Sequence, residues 1–273
     1  MYGAIIGDIV GSVFEWNNVK TVDFKLFTPR SRFTDDTVMT VAVAEGLMNG
    51  GDEEKATEEA IKDSMLKYGA MFPRAGYGGG FSRWLTSKNP KPYNSFGNGS
   101  AMRVSPVGWF AKNLEEAELY AEISARITHN HPDGIKGAVS VAGAVFLARE
   151  SKSKDEIKDY VTSKFHYDLN RTLDDIRPTY KFDVTCQGSV PEAIIAFLES
   201  GGFEDAIRKA VSLGGDSDTI GAITGSIAEA AYGIPDDLKK IAESRLDSRL
   251  LTIITRWEEF LNEVHQSSRD TDS

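Results

Sequence analysis

The chain has 273 residues, 41% of them apolar, with a formal net charge of −10 and a single cysteine. That length and apolar fraction support one large buried core, and the negative balance argues against a protein that grips a nucleic-acid backbone through a basic surface, because such binding runs on phosphate neutralisation. With Cys186 alone no intramolecular disulfide can form, which fits a reducing cytoplasmic compartment. The opening residues lack a basic leader, and the longest weakly apolar stretch, residues 137–148, is too short to span a bilayer.

Helical spacing dominates and no period-two strand stands out, so an all-α fold is expected. Residues 4–15 set Ile5, Ile6, Ile9, Val10 and Val13 on one stripe, and place Asp8 and Glu15 on a common face. Further helices are expected over 37–48, 53–68, 114–128, 134–149, 155–165, 190–198, 203–213, 219–232, 235–247 and 250–265. Two glycine-rich loops, 76–80 and 95–100, lie between them, and such loops let the backbone approach a ligand closely. No composition shift or fixed-period repeat divides the chain, so residues 1–265 read as one domain, with 266–273 expected to be a polar, disordered tail.

Two motifs carry the chemistry. Phe33-Thr34-Asp35-Asp36-Thr37 and Gly214-Gly215-Asp216-Ser217-Asp218-Thr219 each bring two carboxylates and hydroxyl oxygens to a helix start, where backbone N–H groups and the helix dipole tolerate negative charge. Either alone reads as an ordinary helix cap. Together with Asp8 and Glu15, and with no Lys or Arg inside the three segments, they describe an oxygen-only metal site. Carboxylates gathered in one place repel unless hard cations intervene, which points to Mg²⁺ or Mn²⁺ rather than zinc.

The loop Ser95-Phe96-Gly97-Asn98-Gly99-Ser100, running into Ala101-Met102-Arg103, has the look of a phosphate cradle built from backbone N–H groups and small hydroxyls, without being a Walker loop or a dinucleotide fingerprint. Thr128-His129-Asn130-His131-Pro132-Asp133 supports two readings: a substrate contact by His129, or a plain loop in which Asp133 caps the next helix. The pairs Phe81/Trp84 and Trp109/Phe110 are expected in the core, and Cys186 has no activating base.

Five blocks in order, residues 7–15, 33–37, 95–103, 128–129 and 214–219, resemble the ADP-ribosylglycohydrolases, the group that includes dinitrogenase reductase-activating glycohydrolase and the ADP-ribosyl-arginine and ADP-ribosyl-serine hydrolases. The resemblance spans residues 7–233 and implies an orthogonal helical bundle with a binuclear Mg²⁺ or Mn²⁺ centre in a cleft. It assigns Thr34, Asp35, Asp36, Asp216, Asp218 and Thr219 to two divalent cations, and Glu15 with Asp35 to catalysis. It further assigns Ser95, Phe96, Gly97, Asn98, Gly99 and Ser100 to the ADP-ribose diphosphate, and His129 to the substrate cleft.

The implied activity is hydrolysis of the bond between ADP-ribose and a modified acceptor, with the arginine linkage favoured. At residues 76–81 the chain departs from the pattern, being glycine and aromatic where the arginine-directed bacterial member is acidic. Serine-, ester- or nucleic-acid-linked ADP-ribose therefore stands as an alternative, as does a protein that binds ADP-ribose without cleaving it. Rim loops 71–84 and 170–186 are expected to set acceptor choice. A monomer acting on an ADP-ribosylated acceptor, without a membrane or nucleic-acid partner, completes the expectation.

Overall fold

The computed structural model describes the backbone of residues 1–51 and 53–271, and side chains as far as Val264 apart from Asp52. Among the described residues the fold is all-α, and the only β-type pairing is an isolated bridge between Gly97 and Thr185. One continuous apolar core runs from Met1 to Trp257.

The centre of the molecule is a pair of helices from opposite ends of the chain. Helix α1 (Tyr2–Gly11) is buried on every side, and α12 (Ser217–Tyr232) is buried from Ser217 through Ala228. They touch backbone to backbone, because Gly3, Gly7 and Gly11 face Gly225, Gly221 and the Ser217–Asp218 peptide. A Cβ on Gly3 or Gly7 would collide with the carbonyl of Gly225 or Gly221. Glycines four apart fall on one helix face, so the two rows form a flat seam that larger side chains would wedge apart.

Around this seam pack α2 (Asp35–Gly50), α7 (Pro132–Arg149), α10 (Cys186–Leu198) and α11 (Phe203–Ser212). Outside them, α3 (Glu54–Met71) lies on α2, α6 (Leu114–Arg126) on α7, and α14 (Ser248–Thr271) on α2. Helix α11 is amphipathic: Ala206, Ile207, Ala210 and Val211 are buried, while Glu204 and Arg208 pair one turn apart outside.

The long helices coincide with the expected segments, and the differences are local. The first helix ends at Gly11 rather than at Glu15, so Asp8 and Glu15 do not share a helix face. Four short elements have no counterpart in the periodicity: α4 (Gly79–Leu85), the 3-10 turn Asn98–Ser100, α5 (Ser105–Phe110) and α9 (Leu173–Ile176). They span too few turns to generate a repeat.

Helix α10 starts at Cys186, four residues before the expected position. Thr185 caps it by accepting from Gly188 N–H, and Pro191 is carried inside it. Helix α13 (Asp236–Glu243) stops short of 247. The tail expected from Gln266 has its backbone inside α14 as far as Thr271; its side chains and residues 272–273 lie outside the described residues.

Candidate active site

The N-termini of α2 and α12 meet the irregular segment after α1 at a cavity of about 570 Å³. Thr34 caps α2, its Oγ1 accepting from Asp36 N–H at 3.4 Å. At the other wall, Gly214 and Gly215 take φ of +70° and +71°, a left-handed turn that L side chains resist, and this turn delivers Asp216 and Asp218 to the start of α12.

Two carboxylate clusters result. Oxygens of Asp8, Asp36 and Asp218 lie within 4.8 Å of one another, as do those of Glu15, Asp216 and Asp218, so Asp218 belongs to both. All but Glu15 are buried. Burial and mutual repulsion push Asp36 and Asp218 well above the usual aspartate range, and raise Asp35, beside the clusters, to about 7, with burial the first cause and the charge of Asp8 or a neighbouring aspartate the next. Glu15 is raised by burial and then by Asp216. Among the described residues, Asp36 Oδ1 is buried with no hydrogen-bond partner. An unpartnered buried carboxylate oxygen inside an all-oxygen donor set fits a hard divalent cation.

Asp8 has a second task. It accepts from the N–H groups of Thr34 (2.9 Å) and Thr37 (3.1 Å) and from both their hydroxyls, and so ties α1 to the first turn of α2. Sequence reading placed Asp8 only on an acidic face; its capping of another helix is a tertiary contact with no local signal.

The expected site residues come together, with some exceptions. Glu15, Thr34, Asp35, Asp36, Asp216, Asp218 and Thr219 all line the cavity. Asp35 lies in neither cluster. Its N–H donates to Ala75 O at 3.0 Å, and its Oδ1 sits 3.0 Å from where a Cβ on Gly76 would stand. Ser95, Gly97, Asn98, Gly99 and His129 line the same cavity.

Phe96 and Ser100 do not line the cavity. The Phe96 ring is 46% exposed and packs edge-on against His131, while Ser100 is buried with its hydroxyl donating to Gly134 O at 2.7 Å. The 3-10 turn Asn98–Ser100 rotates Ser100 away from the wall and behind the loop.

The glycine loop is held from outside. Asn98 N–H donates to Val184 O (2.8 Å), Cys186 N–H to Phe96 O (2.9 Å), and the Cys186 thiol to Gly97 O (3.1 Å). Burial pushes that thiol up to about 12, consistent with a packing role. Asn98 Nδ2 links the loop to the acidic cluster, donating to Ser189 Oγ (2.9 Å) and Asp216 Oδ2 (2.6 Å).

His131, rather than Asp133, caps α7, its Nδ1 accepting from Asp133 N–H at 3.1 Å. Phe81 and Trp84 are buried as expected, with Phe81 also reaching the cavity wall. The mouth carries residues from both rim loops, including Gly76, Gly78, Phe182 and Val184, together with Trp16 from the segment after α1. Trp16 is 80% exposed, and its ring stacks on Phe182 at 5.2 Å between centroids.

No helix among the described residues is long and apolar enough to cross a membrane. The profile of the ADP-ribosylglycohydrolase family matches residues 1–269. Human ADP-ribosylhydrolase ARH3 is 25% identical over an alignment covering 91% of this chain and 89% of its own. The ADP-ribosylarginine hydrolase Tri1 of Pseudomonas putida is 24% identical, covering 90% and 74%. A solved chain described as an ADP-ribosylglycohydrolase-related protein complex superposes with a TM-score of 0.65 at 23% identity, covering 88% of this chain and 93% of that one, a likeness of fold. By the family match along nearly its whole length, the chain belongs to the ADP-ribosylglycohydrolases, a family of hydrolytic enzymes.

Proposed function

We propose that the protein hydrolyses the bond joining the anomeric carbon of ADP-ribose to an acceptor side chain, with two divalent cations, Mg²⁺ or Mn²⁺, held among Thr34, Asp35, Asp36, Asp216, Asp218 and Thr219. The observation that carries this reading is the pair of carboxylate clusters sharing Asp218 and joined through Asn98 to a glycine loop that lines the same cavity. Asp8 supports α2 from behind and holds Thr34 in place.

When bound, the cations supply positive charge that orients ribose hydroxyls and eases ionisation of a water. The chain's own groups do the rest. The backbone N–H of Gly99 and the Ser95 hydroxyl, which already accepts from Gly97 N–H, hold the diphosphate, remote from the bond that breaks, and so contribute binding energy that fixes the sugar. Glu15 lies at the cavity with its carboxyl raised by burial, suited to hold a proton for the departing acceptor or take one from the attacking water. Asp35, on the same cavity, serves the reaction by holding a cation; its rise to about 7 belongs to the cation-free site, where it is the second carboxyl able to carry a proton.

The favoured acceptor is an arginine side chain. Trp16 and Phe182 offer an exposed stacked aromatic surface on the cavity that Glu15 also lines, and a planar guanidinium stacks on such rings. Release of free ADP-ribose from arginine-, serine- and nucleic-acid-linked substrates, with Mg²⁺, Mn²⁺ or EDTA, tests the reading. Metal-dependent release from the arginine linkage is expected. Release that persists in EDTA would overturn the cation role, and ADP-ribose binding without release from any linkage would make this a binding protein.

A further inference from the structure

Arg103, Thr128 and His129 form a chain of hydrogen bonds that ends at the cavity. Arg103 is buried, and its Nη2 donates to Ser124 O (2.8 Å) and to Thr128 Oγ1 (3.0 Å). Thr128 Oγ1 in turn lies 2.7 Å from His129 Nδ1. Among the described residues the Thr128 hydroxyl, fully buried, meets no other partner.

A guanidinium can only donate, so the threonine oxygen accepts from Arg103; it has room to accept again from an Nδ1–H, but that would leave the hydroxyl's own hydrogen buried without an acceptor among the described residues, a cost avoided when that hydrogen points at Nδ1. Nδ1 therefore accepts, and the imidazole proton sits on Nε2. That edge faces the glycine loop: Nε2 is 3.3 Å from where a Cβ on Gly99 would stand and 3.6 Å from one on Gly97. It has no protein acceptor among the described residues, and the ring lines the cavity. Burial, then the charge of Arg103, keeps His129 neutral.

We propose that Thr128, itself fixed by Arg103, is a positioning residue that locks His129 in the neutral Nε2–H tautomer, so that the ring presents a fixed, uncharged donor to a ligand oxygen beside Gly97 and Gly99. A donor already aimed needs no reorganisation when the ligand arrives. Identifying that ligand as ADP-ribose rests on the function proposed above; the tautomer does not.

The test is imidazole nitrogen-15 NMR on the full-length protein without ligand, followed by ADP-ribose titration. Wild type and Thr128→Ser are expected to hold His129 as Nε2–H from about pH 6 to 8, where a free histidine would titrate. Thr128→Val is expected to lose that single form and to weaken ADP-ribose binding about tenfold, with Thr128→Ser within about twofold of wild type, the scale of one hydrogen bond.

An imidazolium or an Nδ1–H form in the wild type overturns the proposal, and that reading requires no variant to fold. A Thr128→Val protein that keeps both the Nε2–H signature and wild-type affinity also overturns it. A wild type that holds the Nε2–H form yet releases no ADP-ribose from any linkage counts against the hydrolase reading and leaves the tautomer lock supported.

Discussion

Asp218 is the one carboxylate common to both acidic clusters, and it is buried beside Asp36 and Asp216. Replacing it with Asn removes a charge from each cluster at nearly constant volume. We expect Asp218→Asn to lose Mn²⁺ binding by calorimetry and to reduce turnover by roughly 100-fold, the upper end of what is lost when groups that merely orient metal ligands are altered. In EDTA the same variant should melt above wild type, because one buried, repelled carboxylate is gone; a lower melting temperature would mean that Asp218 stabilises the metal-free fold. At this scale the residue types were legible wherever chemistry is local: paired aspartates with hydroxyls at helix starts, and glycines with Asn98 between. The job of Asp8 was not, because capping the first turn of α2 requires two helices to meet. Nor did the sequence separate His129 from His131, since one ring faces the cavity and the other caps α7 two positions later.

Helices longer than about three turns announce themselves through a 3.6-residue period, and each expected one is present. Short helices such as α4, α5 and α9 are defined by what they pack against, and the first helix was read through to Glu15 because a seven-residue spacing resembles a shared face. Glu15 still reaches the cavity, by way of a turn. The seam between α1 and α12 had a sequence signal, glycines at four-residue intervals in both helices, whose meaning needs the partner row. A side chain at Gly7 would strike the Gly221 carbonyl, which is backbone and cannot swing away. Gly7→Ala should destabilise the protein by about 3 kcal/mol, at the upper end of overpacking costs, measured by urea unfolding. It should also weaken Mn²⁺ binding, since Asp8 and Asp218 are carried on the two displaced helices. A change below about 0.5 kcal/mol, the scatter of neutral substitutions, would show that the seam yields.

For the molecule as a whole, the acidic centre sets how stability follows pH. Asp35 titrates near 7 in the folded chain, against about 4 in an unfolded one. Between those values the folded state holds the extra proton, so this group's contribution to stability falls as pH rises from about 4 to about 7. Asp36 and Asp218 are shifted the same way. The melting temperature in EDTA is therefore expected to drop from pH 5 to pH 8, with excess Mn²⁺ restoring it at pH 8 and adding little at pH 5, where protons compete for the carboxylates. A metal-free melting temperature that rises over this range would overturn the account. The glycine seam also bears on biosynthesis. Asp8 and Asp218 stand more than two hundred positions apart, yet share a cluster because α1 lies on α12. A growing polypeptide displays Asp8, Glu15 and Asp36 within its first forty residues and gains Asp216 and Asp218 only about 180 positions later. The two clusters therefore assemble only after α12 has been made and has docked on α1, and the loop this contact closes is more than two hundred residues long.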